Sequence, residues 1–400
     1  MSVDVREISL HDAVKFIVDN RGKTVPTADN GIPLIATNCI KNNGLFPVFE
    51  KIRFVSEETY KTWFRSHPEP GDIIFVNKGT PGRVCLVPNP VNFCIAQDMV
   101  ALRVDESVIY PKYLFAALRS DYIQNVIENM HVGTLIPHFK KSDFERLMIP
   151  VPDEVTQKYI GNLYYDLSMA IELNNKVNKT LEDMAQAIFK SWFVDFEPFK
   201  NGEFEESELG LIPKGWRVGV LGDIIDIFDS KRVPLSNRQR SVMEKKYPYY
   251  GAATLMDYVD NYIFDGVYVL LGEDGTVMDE KGYPILQYVW GKFWVNNHAH
   301  VLKGKGVFSD EYLYILLKNT NVASIVTGAV QLKINQNNLT GLKIMIPPED
   351  VVKQYNDVVK DIFACFRSNA DEIKILISLR DTLLPKLMTG EIRVPVEEVV

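Results

Sequence analysis

Two stretches decide how this chain is built: "VGTLIPHFKKSDFERLMIPVP", from Val132 to Pro152, and "TGAVQLKINQNNLTGLKIMIPP", from Thr327 to Pro348. Each runs from a glycine through polar residues to a Leu-Met-Ile or Leu-x-Ile triplet and a proline pair. Gly133 answers to Gly328, Phe144 to Leu339 and Leu147 to Leu342, and a glutamine follows each proline pair, Gln157 and Gln354. Upstream, "YPKYLFAALRS" from Tyr110 matches "SDEYLYILLKN" from Ser309, and "GDIIFV" from Gly71 matches "GVYVLL" from Gly266. Near the start of each half, "SLHDAVKFI" from Ser9 matches "VLGDIIDIF" from Val220. The order is kept, and the separation stays near two hundred residues. A collinear series of this kind is an internal duplication.

A helical stretch follows each proline pair. In the first, Ile160, Leu163, Leu167, Ala170, Asn174, Val177, Leu181, Met184 and Ile188 step by threes and fours; in the second, Val359, Ile362, Phe366, Asn369, Ile373, Leu376, Arg380, Leu383 and Leu387 do the same. This is an a/d stripe sustained over about four heptads. A helix from Val155 to Trp192 is roughly 55 Å long at about 1.5 Å per residue. Pro385 is expected to end or bend the second helix. Asn174 and Asn369, polar members of the stripes, are candidates for fixing register. Two amphipathic helices, each packed on its own domain, are the simpler alternative; an antiparallel coiled coil accounts better for the length and the duplication.

The expected fold is therefore α+β: two mixed α/β domains joined by two long antiparallel coiled-coil helices, with a pseudo-two-fold internal repeat. The boundaries read as a first domain at 1–151, a central helix at 152–200, a second domain at 201–348 with an acidic linker at its start, and a C-terminal helix and tail at 349–400. β-rich runs fall at Gly71–Val76, Arg83–Val87, Val267–Leu271 and Phe293–Val295, and short helices at Lys112–Ser120 and Glu311–Lys318.

The chain has 400 residues, 46% hydrophobic and 24% charged, the composition of a globular protein. It begins without a signal-peptide pattern, and its apolar runs are too short to span a bilayer. Its four cysteines form no CxxC pair or Cys/His cluster, so zinc and a disulfide framework are not expected. The net charge of −8 disfavours an all-over basic surface. It permits a local one, because exposed charges farther apart than a Debye length of ~10 Å are largely screened. "EFEESELG" from Glu203 is acidic, whereas "DSKRVPLSNRQRSVMEKK" from Asp229 is basic.

Catalytic patterns are lacking. Gly22-Lys23-Thr24 resembles the end of a P-loop, but Ile17 stands where the first glycine belongs, and Pro26 follows at once. "PNPV" at Pro88 is not an amino-methylation loop. "PDEVTQK" at Pro152 lacks the second acidic-x-Lys element of a nuclease; Asp153 and Glu154 suit a first helical turn, where carboxylates offset the macrodipole. His298 and His300 are spaced for one face of a strand but lack an evident third ligand, so a structural or DNA-facing role is expected. Glu273 and Asp274 read as turn residues.

What recurs is polar loops at matching places. Arg21, Lys23 and Thr24 correspond roughly to Lys231 and Arg232, with Arg238 and Arg240 beyond. Lys78, Thr80 and Arg83 lie in a Gly-rich loop. His138, Lys140 and Lys141 correspond to Lys333, Asn335, Gln336 and Asn337. These residue types contact phosphates and base edges.

With these features, "RGKTVP", "GDIIFVNKGTPGRV", "LIPKGWRVGVLGDI", "YPYYGAATLMDYVDNYIFDG", "LLGEDGTV", "VNNHAHVL", "TLEDMAQAIFKSWFVDFEP" and "SLRDTLLPKLMTGEI" together resemble the specificity (S) subunit of type I DNA restriction-modification enzymes, over essentially the whole chain. The resemblance implies that each domain is a target recognition domain for one half of a split, asymmetric double-stranded DNA site. It implies that the helices pair as an antiparallel coiled coil, set the gap between half-sites and dock two modification subunits, the pairing and docking residues being Ile160, Leu163, Leu167, Asn174, Val177, Leu181, Met184, Ile188, Ile362, Phe366, Asn369, Ile373, Leu376 and Leu383. It implies a cytoplasmic chain without catalysis, metal, cofactor or membrane contact of its own. S-adenosylmethionine, ATP and Mg2+ are then used by partners, the modification and restriction subunits. A two-headed protein-binding scaffold without nucleic acid, and an NTPase or nuclease, are the competing readings.

Overall fold

The structure, a computed structural model, describes residues 6–20, 23–130, 136–328 and 330–394. The chain divides into two compact units. One is Met1–Lys176 with Ala370–Val400, and the other is Val177–Asn369.

In the first unit, among the described residues, β1 (Arg6–Ser9), β2 (Val14–Asp19), β3 (Ile32–Ile35), β4 (Arg53–Val55), β5 (Ile73–Val76), β6 (Val84–Leu86), β7 (Cys94–Ile95), β8 (Met99–Val104) and β9 (Met148–Val151) alternate with α1 (Glu57–Thr62), α2 (Pro111–Arg119) and α3 (Asp121–Met130). An antiparallel sheet of order β2-β8-β5-β6 lies at its centre, with a sheet of order β4-β3-β7 and the pair β1-β9 beside it. All four residues of β5, Ile-Ile-Phe-Val, are buried, as a strand covered on both faces requires. α2 starts on Pro111, whose fixed φ and missing N–H suit a first helical position.

The long helix α4 (Glu154–Phe193) begins in this unit. Gly161 lies where α4 meets the start of α2. A Cβ there would fall 2.6 Å from the Tyr113 nitrogen, so the approach excludes any side chain.

The second unit repeats the plan. β10 (Phe204–Ser207) and β11 (Gly210–Pro213) form a hairpin in the acidic linker. β12 (Arg217–Val220), β13 (Ile225–Ile227), β14 (Tyr247–Tyr250), β15 (Leu255–Val259), β16 (Phe264–Asp265), β17 (Tyr268–Gly272), β18 (Leu286–Val289), β19 (Lys292–Val295), β20 (Ala299–Gly304) and β21 (Lys343–Ile346) follow, with α5 (Asn237–Arg240), α6 (Asp310–Lys318), α7 (Gln336–Thr340) and α8 (Glu349–Met388). The order β13-β20-β17-β18 and the pair β12-β21 reproduce those of the first unit, and β15-β14-β19 reproduces β4-β3-β7 with β16 added at its edge. The parallel pairing recurs too: Leu34 lies opposite Cys94, and Tyr249 opposite Trp294. The fold is thus α+β with an internal repeat, down to strand order.

In each unit, half of α4 packs antiparallel on half of α8. In the first, Ile160 and Tyr164 pack with Leu384 and Leu387; in the second, Ala185, Phe189 and Phe193 pack with Val352, Tyr355, Val359 and Phe363. The α8 stripe falls where the sequence periodicity puts it. The α4 stripe does not: Tyr164, Ser168, Ile171, Asn178, Ala185 and Phe189 are buried, each one position beyond the expected members, while Val177 and Met184 are 43% and 47% exposed. Counting apolar residues alone missed the seam because serine, asparagine and alanine occupy it. Asn178, not Asn174, is the buried asparagine of the stripe, and its Nδ2 donates to the Phe366 carbonyl at 3.2 Å. The Asn369 Nδ2 meets only Cys365 of its own helix, at 3.8 Å.

Pro385 neither ends nor precedes the end of α8 by a break; the helix runs on to Met388. A proline inside a helix costs one hydrogen bond and about 3 kcal/mol. Burial of Leu384 and Leu387 on either side offsets that cost here.

Candidate nucleic-acid interface

In each unit the central strand ends in a turn pinned by backbone hydrogen bonds to two neighbouring loops. In the first unit the Asn77 N–H donates to Asp98 O (2.9 Å), Phe139 N–H to Asn77 O (2.8 Å) and Gly79 N–H to Pro137 O (2.9 Å). In the second, Glu273 N–H donates to His298 O (2.8 Å), Ile334 N–H to Glu273 O (2.9 Å) and Gly275 N–H to Leu332 O (2.9 Å). These bonds make Asn77 and Glu273 equivalent, and likewise His138 and Lys333. The end of β2 and the start of the segment after β13 complete the frame, with Asp19 opposite Val100 and the Phe228 N–H donating to Val301 O.

The frames match, but their side chains do not. In the first unit they surround an open cleft of about 590 Å³, lined by Asp19, Arg65, Asn77, Lys78, Gln97, Asp98, Val100, His138, Lys140, Lys141 and Ser142. Lys141 is paired with Asp19. Lys78, Lys140 and Arg65 are exposed and have no acidic partner among the described residues. Arg65 follows α1, in a turn where Tyr60 and His67 stack with centroids 3.8 Å apart. Burial holds the His67 imidazole below its usual pKa. Two buried oxygens in the cleft-lining residues, Asn77 Oδ1 and Gln97 Oε1, have no hydrogen-bond partner among the described residues.

In the second unit the corresponding place is filled from within. Arg232 Nη1 donates to Glu273 Oε2 and to the Ala299 carbonyl, both at 2.6 Å, and Nε donates to the Asp229 carbonyl at 3.1 Å. Lys333 Nζ lies 3.3 Å from Glu273 Oε1. His300, 1% exposed, places Nδ1 2.6 Å from Asp229 Oδ2 and Nε2 2.8 Å from the Ile334 carbonyl. Nε2 is thus placed to donate to that carbonyl, with Nδ1 against the Asp229 carboxylate. His298 pairs separately with Asp274 at 2.6 Å. Asp229, Glu273 and His300 bring ligand atoms within 4.8 Å of one another. The guanidinium of Arg232 already lies against both carboxylates, so the cluster is an ion network with its cation supplied.

The other sequence-predicted contacts divide in the same way. Lys23 and Thr24 are exposed; Arg21 and Gly22 lie outside the described residues. Thr80 and Arg83 are half-buried on the turn after β5. Lys231 is exposed, with Nζ 4.9 Å above the Phe228 ring. Arg238, Gln336 and Asn337 are exposed.

Three expectations need correction. Arg232 belongs to the network above. Arg240 is 7% exposed and donates to Asp257 at 3.0 Å with its guanidinium over the Tyr249 ring. Asn335 is the N-cap of α7, its side chain accepting from the Asn338 N–H. Two arginine charges and one amide are taken up inside the unit, which sequence could not tell from free ones. Conversely, the cleft is also lined by Arg65, Asn77 and Gln97, which the sequence reading did not single out. Asn77 had a visible signal, since it precedes Lys78 at the end of an apolar strand; Arg65 had none.

Comparison with known proteins fits these paired frames. Residues 3–183 and 213–378 match the family model described as type I restriction modification DNA specificity domain. The type I restriction enzyme MjaIX specificity subunit of Methanocaldococcus jannaschii is 26% identical over 384 residues, covering 91% of this chain and 87% of that protein. The HindI specificity subunit of Haemophilus influenzae is 23% identical, covering 80% and 86%. Among solved structures, a type I restriction-modification S subunit from M. genitalium shares the fold, with a TM-score of 0.55 and 18% identity over 96% of each chain.

Proposed function

The chain belongs to the type I restriction modification DNA specificity family, and from that premise we propose that its first and second units read different halves of a split, asymmetric double-stranded DNA site. DNA recognition without catalysis is the family's part in restriction and modification. The observation that carries the finer reading is the pair of equivalent frames with unlike side chains. A shared frame keeps the geometry of approach, while an open cationic cleft in one unit and an internally paired network in the other present different groups to a base edge.

On this reading α4 and α8 dock two modification subunits. The apolar residues left outside the seam, Leu173, Val177, Met184, Ile375 and Leu379, supply contact area. The modification subunits use S-adenosylmethionine, and restriction subunits, where present, use ATP and Mg2+. No helix among the described residues is long and apolar enough to cross a membrane; on this reading the chain works on DNA in the cytoplasm.

The test is DNA binding by the chain assembled with its modification partner, measured against salt. Counterion release makes log affinity fall linearly with log salt, with a slope of about −0.9 per phosphate contact. A flat response supports the protein-scaffold reading instead. ATP hydrolysis by the purified chain that disappears in Lys23→Ala supports the NTPase reading.

A further inference from the structure

We propose that Arg65 is a specificity-determining residue whose guanidinium donates to O6 and N7 of a guanine in the half-site read by the first unit. This rests on the DNA-reading function proposed above and deepens it, assigning one base to one side chain.

Arg65 stands on a segment that the duplication does not share. Between β4 and β5 the first unit carries residues 56–72, with helix α1; between the equivalent strands β15 and β17 the second unit carries only residues 260–267, with the short strand β16. The segment is firmly held. The Ser56 side chain caps α1 by accepting from the Thr59 N–H at 3.1 Å, Phe64 is buried in one cluster with Leu34 and Val55, Tyr60 stacks on His67, and the Glu69 N–H donates to Asp72 Oδ2 at 2.8 Å. Arg65 follows Phe64 directly, so its backbone is anchored while its side chain is exposed where it lines the cleft. An incoming ligand can reach this guanidinium, which has no acidic partner among the described residues. Arg232 and Arg240 of the second unit differ, because Glu273 and Asp257 already meet their charges.

The lining of the cleft selects the ligand. Arg65, Lys78 and Lys140 call for acceptors or negative charge. Asp98 lines the same cleft, half-buried and without an ion pair among the described residues. A carboxylate there opposes a phosphate as the sole occupant and suits an edge that offers acceptors and a donor together. In the major groove a G·C pair is such an edge: guanine presents N7 and O6, and cytosine presents its N4 amino group. Lysine acts as a point charge, which suits a phosphate, whereas the planar guanidinium presents two parallel N–H donors that match N7 and O6. Adenine sets a donor beside N7, and thymine offers O4 beside a methyl group, so neither accepts both N–H groups. Lys78 and Lys140 are thus left for the phosphates, and Arg65 for the base.

The experiment uses the full chain assembled with its modification partner. Methylated sequences are mapped across a genome for the wild-type, Arg65→Ala and Arg65→Lys proteins. Methylation rates are then measured on duplexes carrying each of the four bases at every position of the site. The half-site of the first unit is the one that persists when residues 213–348 are exchanged for those of another specificity subunit. Arg65→Ala should relax one guanine of that half-site, reducing its preference over the other bases by about 5- to 150-fold, with the other half-site unchanged. Arg65→Lys should not restore the preference, because an ammonium lacks the fork. Thermal unfolding is recorded alongside; if Arg65→Ala does not fold, Arg65→Lys decides. Unchanged base preferences in the folded variants overturn the proposal, as does a first half-site with no guanine on either strand. Uniform loss at every position that Arg65→Lys restores also overturns it, because that is the signature of a phosphate contact. A wild-type complex that methylates no defined sequence overturns the parent reading instead, so the two failures are distinguishable.

Discussion

The loop after β5 and the loop after β17 are held by the same three backbone hydrogen bonds, yet one borders an open cleft and the other a filled one. In the first unit Lys78, Lys140 and Arg65 are exposed and have no counter-ion among the described residues. In the second, Arg232, Lys333 and His300 are engaged with Asp229 and Glu273. The comparison teaches that duplication preserved the backbone frame while charge at the equivalent place was handled in opposite ways. A strand order can be shared without a binding surface being shared, because the strands are specified by core burial and the surface by a handful of rim residues.

The largest expected effect comes from breaking the filled frame. Arg232→Ala leaves two nearly buried carboxylates without their shared cation; losing one partner of a buried ion pair costs about 3–5 kcal/mol. The second unit should melt earlier in calorimetry or hydrogen exchange, with exchange in the β2-β8-β5-β6 sheet unchanged. Equal loosening of both sheets would show that the network is not local to its unit. Next comes the helix pair. Inserting four residues, about one turn, into both α4 near Asn174 and α8 near Asn369 should change the tolerated gap between half-sites without changing the bases read; an unchanged gap removes the helices as the ruler.

A smaller effect sharpens the charge contrast. Lys78→Ala should lower the magnitude of the salt slope of DNA binding by about 1. Lys333→Ala should lower it by less, because Lys333 is already paired with Glu273. Equal changes would mean that the pairing in the second unit gives way on binding.

The smallest effect concerns His67, whose pKa burial lowers from 6.5. The unfolded chain then binds more protons than the folded one below about pH 6.5, so stability should fall as pH drops through that range. His67→Leu should flatten this dependence in melts of the chain, and a wild-type melt independent of pH between 7 and 5 would contradict it.

The sequence made the repeat and the helices legible because both are written in periodicity and order. The matches around Gly71 and Gly266 lie on the buried central strands, where sequence and structure constrain each other most tightly. The α4 seam was displaced by one position because Ser168, Asn178 and Ala185 carry little apolar signal, although they are buried. The continuation of α8 through Pro385 was hidden because packing of Leu384 and Leu387 overrides a local preference. At the candidate interface, residue type identified Lys78 and Lys140. It failed at Arg232 and Arg240, since whether a cation is free depends on carboxylates distant in sequence, Glu273 and Asp257. Asp19 and Lys141, more than a hundred residues apart, meet for the same reason.

The most direct test of the central claim, that two copies of one frame read two different half-sites, is genome-wide mapping of methylated adenines in cells carrying this chain with its modification partner, repeated with residues 213–348 replaced by those of another specificity subunit. The expected result is a bipartite, asymmetric sequence with a fixed gap, in which the replacement changes one half and leaves the other and the gap intact. A palindromic or uninterrupted sequence, or a replacement that alters both halves together, would contradict it.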